Sequence, residues 1–230
     1  MPVISFANPK GGSGKTTLAM VLALEIAKGG AQVAVIDADP NAIIEKWAAA
    51  RTKEGRAVPF TIVARPKEAD MVTTIANLSK THQFILVDLE GTASRMVSRA
   101  FARSNLVLIP LNLSPIDASL AAEAVRLVHE ESETLERPIP YRLVYSRTNA
   151  AIATKSSRRI SEAIEKAELP ILPESLVERA AYRDIFDFSK TLDELDSQTS
   201  GLPQAKENSF RVAQAVIEAL KEVAGKDKAA

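Results

Sequence analysis

Cysteine is missing altogether from this 230-residue chain. That excludes disulfides, thiolate zinc sites and cysteine-held iron–sulfur clusters. The only histidines, His82 and His129, sit at no spacing that would let them share a metal ion. No run approaches the 18 apolar residues of a membrane-spanning helix, and the N-terminus lacks the charged-then-apolar layout of a signal peptide. The expected compartment is the cytoplasm, with no membrane partner. An excess of either charge is missing too: 29 basic side chains balance 29 acidic ones. A dedicated nucleic-acid binder is usually strongly basic, so any contact with DNA has to come from a local patch, such as one assembled only in a dimer. Repeats, low-complexity tracts and linkers are absent. With 46% hydrophobic and 25% charged residues, the composition is that of an ordinary globular protein. One domain is expected over 1–224, followed by a small charged tail over 225–230 that frays.

What the chain does have is a glycine-rich segment at its start. Residues 8–17 read Asn8-Pro9-Lys10-Gly11-Gly12-Ser13-Gly14-Lys15-Thr16-Thr17, directly after the apolar run Val3-Ile4-Ser5-Phe6-Ala7. Strand, glycine turn and helix in that order make a phosphate-binding loop. Glycines at 11, 12 and 14 let successive backbone N–H groups turn inward into an anion nest with no Cβ in the way. The helix that starts near Lys15 adds its positive dipole end. Lys15 can reach the β- and γ-phosphates, and the Thr16 hydroxyl can ligate Mg²⁺. The segment Gly11–Thr17, with Ser13 and Thr17 included, is the expected nucleotide cradle.

Short β-rich apolar runs recur at Val3–Ala7, Val33–Ile36, Phe60–Val63, Phe84–Val87, Leu106–Ile109 and Leu143–Tyr145. Their apolarity is continuous rather than alternating, as in strands buried on both faces of a parallel sheet. Helical patterns lie between them, at Thr17–Lys28, Asn41–Arg51, Glu68–Lys80, Ala118–Leu135 and Ser156–Lys166. The alternation predicts an α/β fold with a doubly wound, mostly parallel sheet flanked by helices, in which ligands sit at the carboxyl ends of the strands. Asp37-Ala38-Asp39-Pro40 stands at one such end. Two carboxylates one residue apart point the same way there. Beside a phosphate they can orient water or hold Mg²⁺ through water; equally, Asp39 or Asn41 can cap the next helix. At another strand end stands Asp88, after four apolar residues, a Walker B arrangement for holding Mg²⁺. Pro110–Asp117 reads as a loop broken twice that then caps a long helix. Trp47 reads as packing.

The general loop pattern G-x-x-x-x-G-K-S/T expects glycine where Pro9 stands, and a second lysine, Lys10, precedes the glycines. On residues alone Lys10 can be a solvated lysine beside a nest. The form K-G-G-x-G-K-T-T resembles the deviant-Walker ATPases of the ParA/MinD superfamily, in particular small ParA-type partition ATPases. Nitrogenase iron proteins share this loop but need cysteines, so they are excluded. The resemblance implies that Lys10 crosses a homodimer interface to the partner's nucleotide. It makes Asp39 the hydrolytic switch residue, with Asp37 its neighbour in the magnesium and phosphate network, and Lys10, Lys15 and Asp39 become the catalytic set. Leu89-Glu90-Gly91 departs from the two prolines that often follow the Walker B aspartate in that family, although Gly91 can still lend flexibility to a γ-phosphate sensor. Residues 110–117 resemble the loop such ATPases place near the dimer interface. Ser146-Arg147-Thr148-Asn149 falls where the family contacts adenine, so that Arg147 stacks on the base and Asn149 bonds its edge. Pro173–Ala180, beginning with Pro173, resembles the region past the seventh strand that also wraps the base.

The function implied is an ATP- and Mg²⁺-dependent dimerising ATPase that binds DNA without sequence preference. It would drive plasmid or chromosome partition, with hydrolysis stimulated by a ParB-like centromere-binding partner and the protein associated with the nucleoid. Candidate DNA contacts are Arg158, Arg159, Arg179, Arg183 and Arg211, with Lys190 and Lys221 beside them, although each alone reads more readily as a solvated face. The chain starts at the first strand with no helix-turn-helix ahead of it, so site-specific operator binding is not expected. Gln204–Ala224 places Phe210, Ala213, Val216, Ile217, Leu220 and Val223 at helical spacing, with mixed charges elsewhere. That is a docked closing helix rather than the basic membrane-surface helix that ends MinD-type proteins. Two other readings stay open: a ParA-like positioning factor for a protein or conjugative DNA-processing cargo, and a metabolic P-loop ligase of the dethiobiotin synthetase type.

Overall fold

A computed structural model describes residues 1–91, 94–148 and 155–227. Its strands are β1 (Val3–Phe6), β2 (Val33–Asp37), β3 (Thr61–Ala64), β4 (Phe84–Asp88), β5 (Leu106–Leu111), β6 (Tyr141–Thr148) and β7 (Leu176–Val177). They form one sheet in the order β3-β2-β4-β1-β5-β6-β7, and every pairing is parallel. The helices are α1 (Lys15–Lys28), α2 (Ile43–Lys53), α3 (Met71–Leu78), α4 (Arg95–Phe101), α5 (Pro115–Thr134), α6 (Lys155–Lys166), α7 (Ala180–Asp187) and α8 (Leu202–Asp227).

The uninterrupted apolar strands follow from burial on both faces. In β1, Ile4 and Phe6 join a core with α1, α2, α7 and α8, while Val3 belongs to a second core with α3, α4, α5 and α6. Helix α1 is buried without a break from Leu18 to Leu24. It lies between the sheet and α8, which explains why it has no polar face. β1 has β4 on one side and β5 on the other. The connection out of β1 runs toward β2, whereas the one out of β4 crosses to β5. The carboxyl end of β1 is therefore the crevice where chain direction diverges, the usual ligand position in such sheets.

Several local expectations need correction. Pro110 does not break the chain; it lies inside β5, paired with Val144. β1 has by then turned away into its loop, its last partner on β5 being Leu108, so the missing N–H of a proline costs nothing on that side. β6 continues through Thr148, which places Ser146 and Arg147 in the strand rather than past it. β7 lies within the segment read as following it. The stretch from Glu68 opens with a single 3₁₀ turn, Glu68–Asp70, before α3. Helices α4 and α7, of 7 and 8 residues, are too short for their period to stand out from sequence. Helix α8 runs on through Asp227.

Candidate nucleotide site

The glycine loop links β1 to α1 as its residues demand. Gly12 (φ 77°) and Gly14 (φ 98°) occupy the left-handed region that an L side chain rarely adopts. Gly14 is doubly constrained, because a Cβ there would lie 2.3 Å from the Ser146 hydroxyl. Gly91 has a different need from the flexibility expected of it: a Cβ would stand 2.9 Å from the Pro9 carbonyl, so the chain leaving β4 passes directly against the loop. The Lys15 ammonium donates to the carbonyls of Asn8 (3.0 Å) and Lys10 (3.2 Å). Burial pushes its pKa down, and the Asp88 and Asp39 carboxylates pull it partly back.

Asp37 and Asp88 end neighbouring strands and face each other in register. Both are fully buried. Burial pushes the Asp88 carboxyl up to about 7; contact with the Thr16 hydroxyl and the Lys15 charge oppose that rise, and Asp37 adds to it. Even so, neither Asp88 oxygen has a full hydrogen bond among the described residues. Burial likewise raises Asp37, against the backbone N–H groups of Glu45 and Ile44. One Asp37 oxygen accepts from the Glu45 N–H at 3.0 Å and the other is unpartnered. The capping role expected of Asp39 or Asn41 therefore falls to Asp37. The residue ahead of α2 is Ala42, in the left-handed region. Asp39 instead accepts from the Asn41 N–H at 2.8 Å in a tight turn.

Lys15, Thr16 and Asp39 line a cleft of about 390 Å³, and the buried Asp37 and Asp88 lie outside its lining. Its floor is formed by Gly11, Gly12 and Gly14 to Thr17, the buried Ser13 lying outside the lining, with Asp39, Asn41 and Gly91 on one side and Ser146 and Arg147 on the other. Helix α7 closes it, contributing Tyr182, Arg183 and Phe186, and the segment Leu176–Arg179 completes the wall. The donor set fits a small hard cation shared with phosphates. Three carboxylate oxygens lack partners in a buried site, a threonine hydroxyl lies beside them, and no cluster of three or more His, Cys, Asp or Glu among the described residues would cage a metal without help. Thr16, Asp88 and Asp37 are the residues that would hold Mg²⁺.

Lys10 is only partly solvated. Its ammonium lies 3.0 Å from both carboxylate oxygens of Asp117, a buried residue in the first turn of α5. Ser114 caps that helix and donates its hydroxyl to the same carboxylate. The expected loop over residues 110–117 thus supplies the counter-charge for Lys10. Arg147 reaches the loop, donating to the Gly12 carbonyl at 3.0 Å. Asn149 lies outside the described residues. Pro173 is exposed and is not in the cleft wall.

The five candidate DNA arginines do not form one surface. Arg179 and Arg183 line the cleft. Arg158 and Arg159 are exposed on α6, which packs on one face of the sheet, whereas Arg211 lies on α8 against the other, paired with Glu207 at 2.7 Å. Sequence reasoning singled out the segments that hold Asp117, Ser146 and Glu178 without giving those residues roles, and it missed Tyr182. Asp117 also carried a local signal, standing three residues after a serine at a helix start.

A family model of VirC1 proteins matches residues 1–225. Protein ParA of Rhizobium radiobacter is 36% identical over 224 residues, which cover 96% of this chain and 99% of that protein. Protein virC1 of Rhizobium radiobacter is 32% identical over 184 residues, 79% of each chain. The structure of McdA from Cyanothece superposes with a TM-score of 0.75 at 17% identity, covering 94% of this chain and 99% of that one. Family match, relatives and fold agree with the loop: the chain belongs to the VirC1 family and, with it, to the ParA/MinD superfamily of P-loop ATPases.

Proposed function

We propose that the protein hydrolyses ATP in this cleft and uses the cycle to partition or position a cargo. The observation that carries the reading is the buried trio of Lys15, Asp37 and Asp88 beside the glycine nest, with three carboxylate oxygens unpartnered. Isolated buried charges are costly unless a ligand completes them. The nest and Lys15 would hold the phosphates. Mg²⁺, when bound by Thr16 and Asp88 with Asp37 behind them, neutralises phosphate charge. Asp39, partly exposed at the cleft edge, would accept a hydrogen bond from the attacking water. A bond forms from that water to the γ-phosphorus as the β,γ-bridging bond breaks, leaving ADP and phosphate. An aspartate-to-alanine variant of McdA has been solved with ATP, which supports the choice of nucleotide.

Lys10 would act across a homodimer, exchanging the Asp117 carboxylate for the partner's phosphates. The dimer would double whatever basic patch a protomer of zero net charge carries, giving DNA binding that ignores sequence and falls steeply with salt. Arg158, Arg159 and Arg211 are exposed away from the cleft, and Arg183 is exposed at the cleft wall. Relation to ParA along its whole length favours partition, stimulated by a ParB-like partner on a nucleoid-bound, cytoplasmic protein. The match to VirC1 proteins favours a second reading, the same ATPase serving a different client. Family membership leaves the ligase reading without support. The test is a mobility-shift titration of random duplexes with a non-hydrolysable ATP analogue, beside light scattering. ATP should be required for both DNA binding and dimerisation, and Lys10→Ala should bind nucleotide yet stay monomeric. Equal DNA binding with ADP, or an ATP dimer in Lys10→Ala, would overturn the reading.

A further inference from the structure

The end of β6 touches the phosphate loop at two successive residues. Ser146 is buried and stands against Gly14, its hydroxyl occupying the space a Cβ would need. Arg147 donates from Nη1 to the Gly12 carbonyl at 3.0 Å. Its backbone lies in the left-handed region (φ 55°), uncommon for a side chain of this size. The pairing of β6 with β7 is irregular at the same place, with a register shift between Ser146 and Thr148. A bulge of this kind re-aims a side chain, and here it turns Arg147 onto the loop. The other side of the guanidinium faces Glu178, with Nη2 at 3.6 Å from Oε1. The same carboxylate oxygen lies 3.3 Å from Arg183 of α7, and the Glu178 N–H donates to the Thr148 carbonyl at 3.0 Å.

We propose that Arg147 is a positioning residue for the phosphate cradle: it pins the Gly12 carbonyl aside, braced by Glu178, and so ties the β7–α7 wall of the cleft to the loop. This rests on the reading that the loop binds ATP. Gly12 has no Cβ, so the peptide plane after it turns more readily than it would after an L side chain. A carbonyl turned inward would set its negative end against the phosphates. In a trans peptide the N–H of Ser13 points opposite to the carbonyl of Gly12, so holding one orients the other. A guanidinium engaged at Gly12 and at Glu178 is also not free to stack on a base, the role the family resemblance implies for it.

Calorimetry with ATP, ADP and inorganic tripolyphosphate, on the wild type and on Arg147→Ala, Arg147→Lys and Glu178→Gln, tests the proposal. Arg147→Ala should weaken all three ligands by a common factor of about ten, the lower end for a charge-assisted hydrogen bond at a half-exposed site. Arg147→Lys should recover part of it. Glu178→Gln should weaken all three roughly two- to threefold, although removing a negative charge from the cleft would by Coulomb attraction alone tighten them. A loss confined to ATP and ADP would make Arg147 a base contact. Unchanged affinity in Arg147→Ala, or tighter binding in Glu178→Gln, would remove the brace. Each of these results overturns the inference while leaving the nucleotide site standing. A wild type that binds none of the three ligands would overturn both.

Discussion

Helix α2 has a buried charge at each end, held on opposite terms. At its C-terminal end all five N–H donors of Arg51 are used. Two go to the Ala57 carbonyl, one to the Ser189 carbonyl and two to the Glu194 carboxylate. The guanidinium also stacks over Trp47 at 4.8 Å, and Trp47 donates to the Ile185 carbonyl at 2.9 Å. At the N-terminal end Asp37 holds the first turn with one oxygen, while its other oxygen and both of Asp88 lack partners among the described residues. Both arrangements take charge out of water. The completed one fastens α2 to the segment after α7, whereas the incomplete one leaves three buried carboxylate oxygens without partners. Burial alone therefore does not mark function. Burial with unspent hydrogen-bonding capacity does.

The sharpest way to break this contrast is Asp88→Asn. A carboxyl raised to about 7 in the folded state from an ordinary value of 3.8 makes the free protein lose stability as pH rises between those values. The variant should therefore be more stable than the wild type above pH 7, by up to about 4 kcal/mol, while Mg²⁺-dependent phosphate release disappears. Thermal unfolding at pH 5 and pH 8 checks it, and a destabilised variant at pH 8 would contradict this account. The opposite response is expected at the other end. Arg51→Ala should cost about 3 kcal/mol of stability in denaturant titration, yet ATP affinity of the folded fraction should change by less than about threefold, since Arg51 lies outside the cleft.

Lys15→Ala should reduce ATP affinity by about 1.5–3 kcal/mol in calorimetry, as expected for a charge-assisted hydrogen bond. Stability should hold or rise slightly, because burial disfavours the charged lysine. The smallest effect concerns acid. Arg51 holds the Glu194 carboxyl down at about 2, against an ordinary value of 4.5. The stability it contributes is complete above pH 4.5 and is lost as pH falls toward 2. Glu194→Gln should flatten that acid limb in unfolding curves and leave the neutral-pH nucleotide affinity alone.

The loop, its lysines and Thr16 were legible in the sequence because they lie within ten contiguous residues. Asp88 was legible because an apolar strand ending in an acid keeps its pattern without knowledge of neighbours. The sequence likewise determined the α/β class, through strands too apolar to face water on either side. Other partnerships had no local trace. Lys10 meets Asp117 across 107 positions and Arg51 meets Glu194 across 143. Asp37 stands beside Asp88 only because β2 and β4 align in one register. That Arg179 and Arg183 line the cleft became visible only with the packing of α7 and the segment before it. Tertiary structure decided these because strand register and crossover path are set by the packing of whole layers, and a one-residue slip would send each side chain to the opposite face.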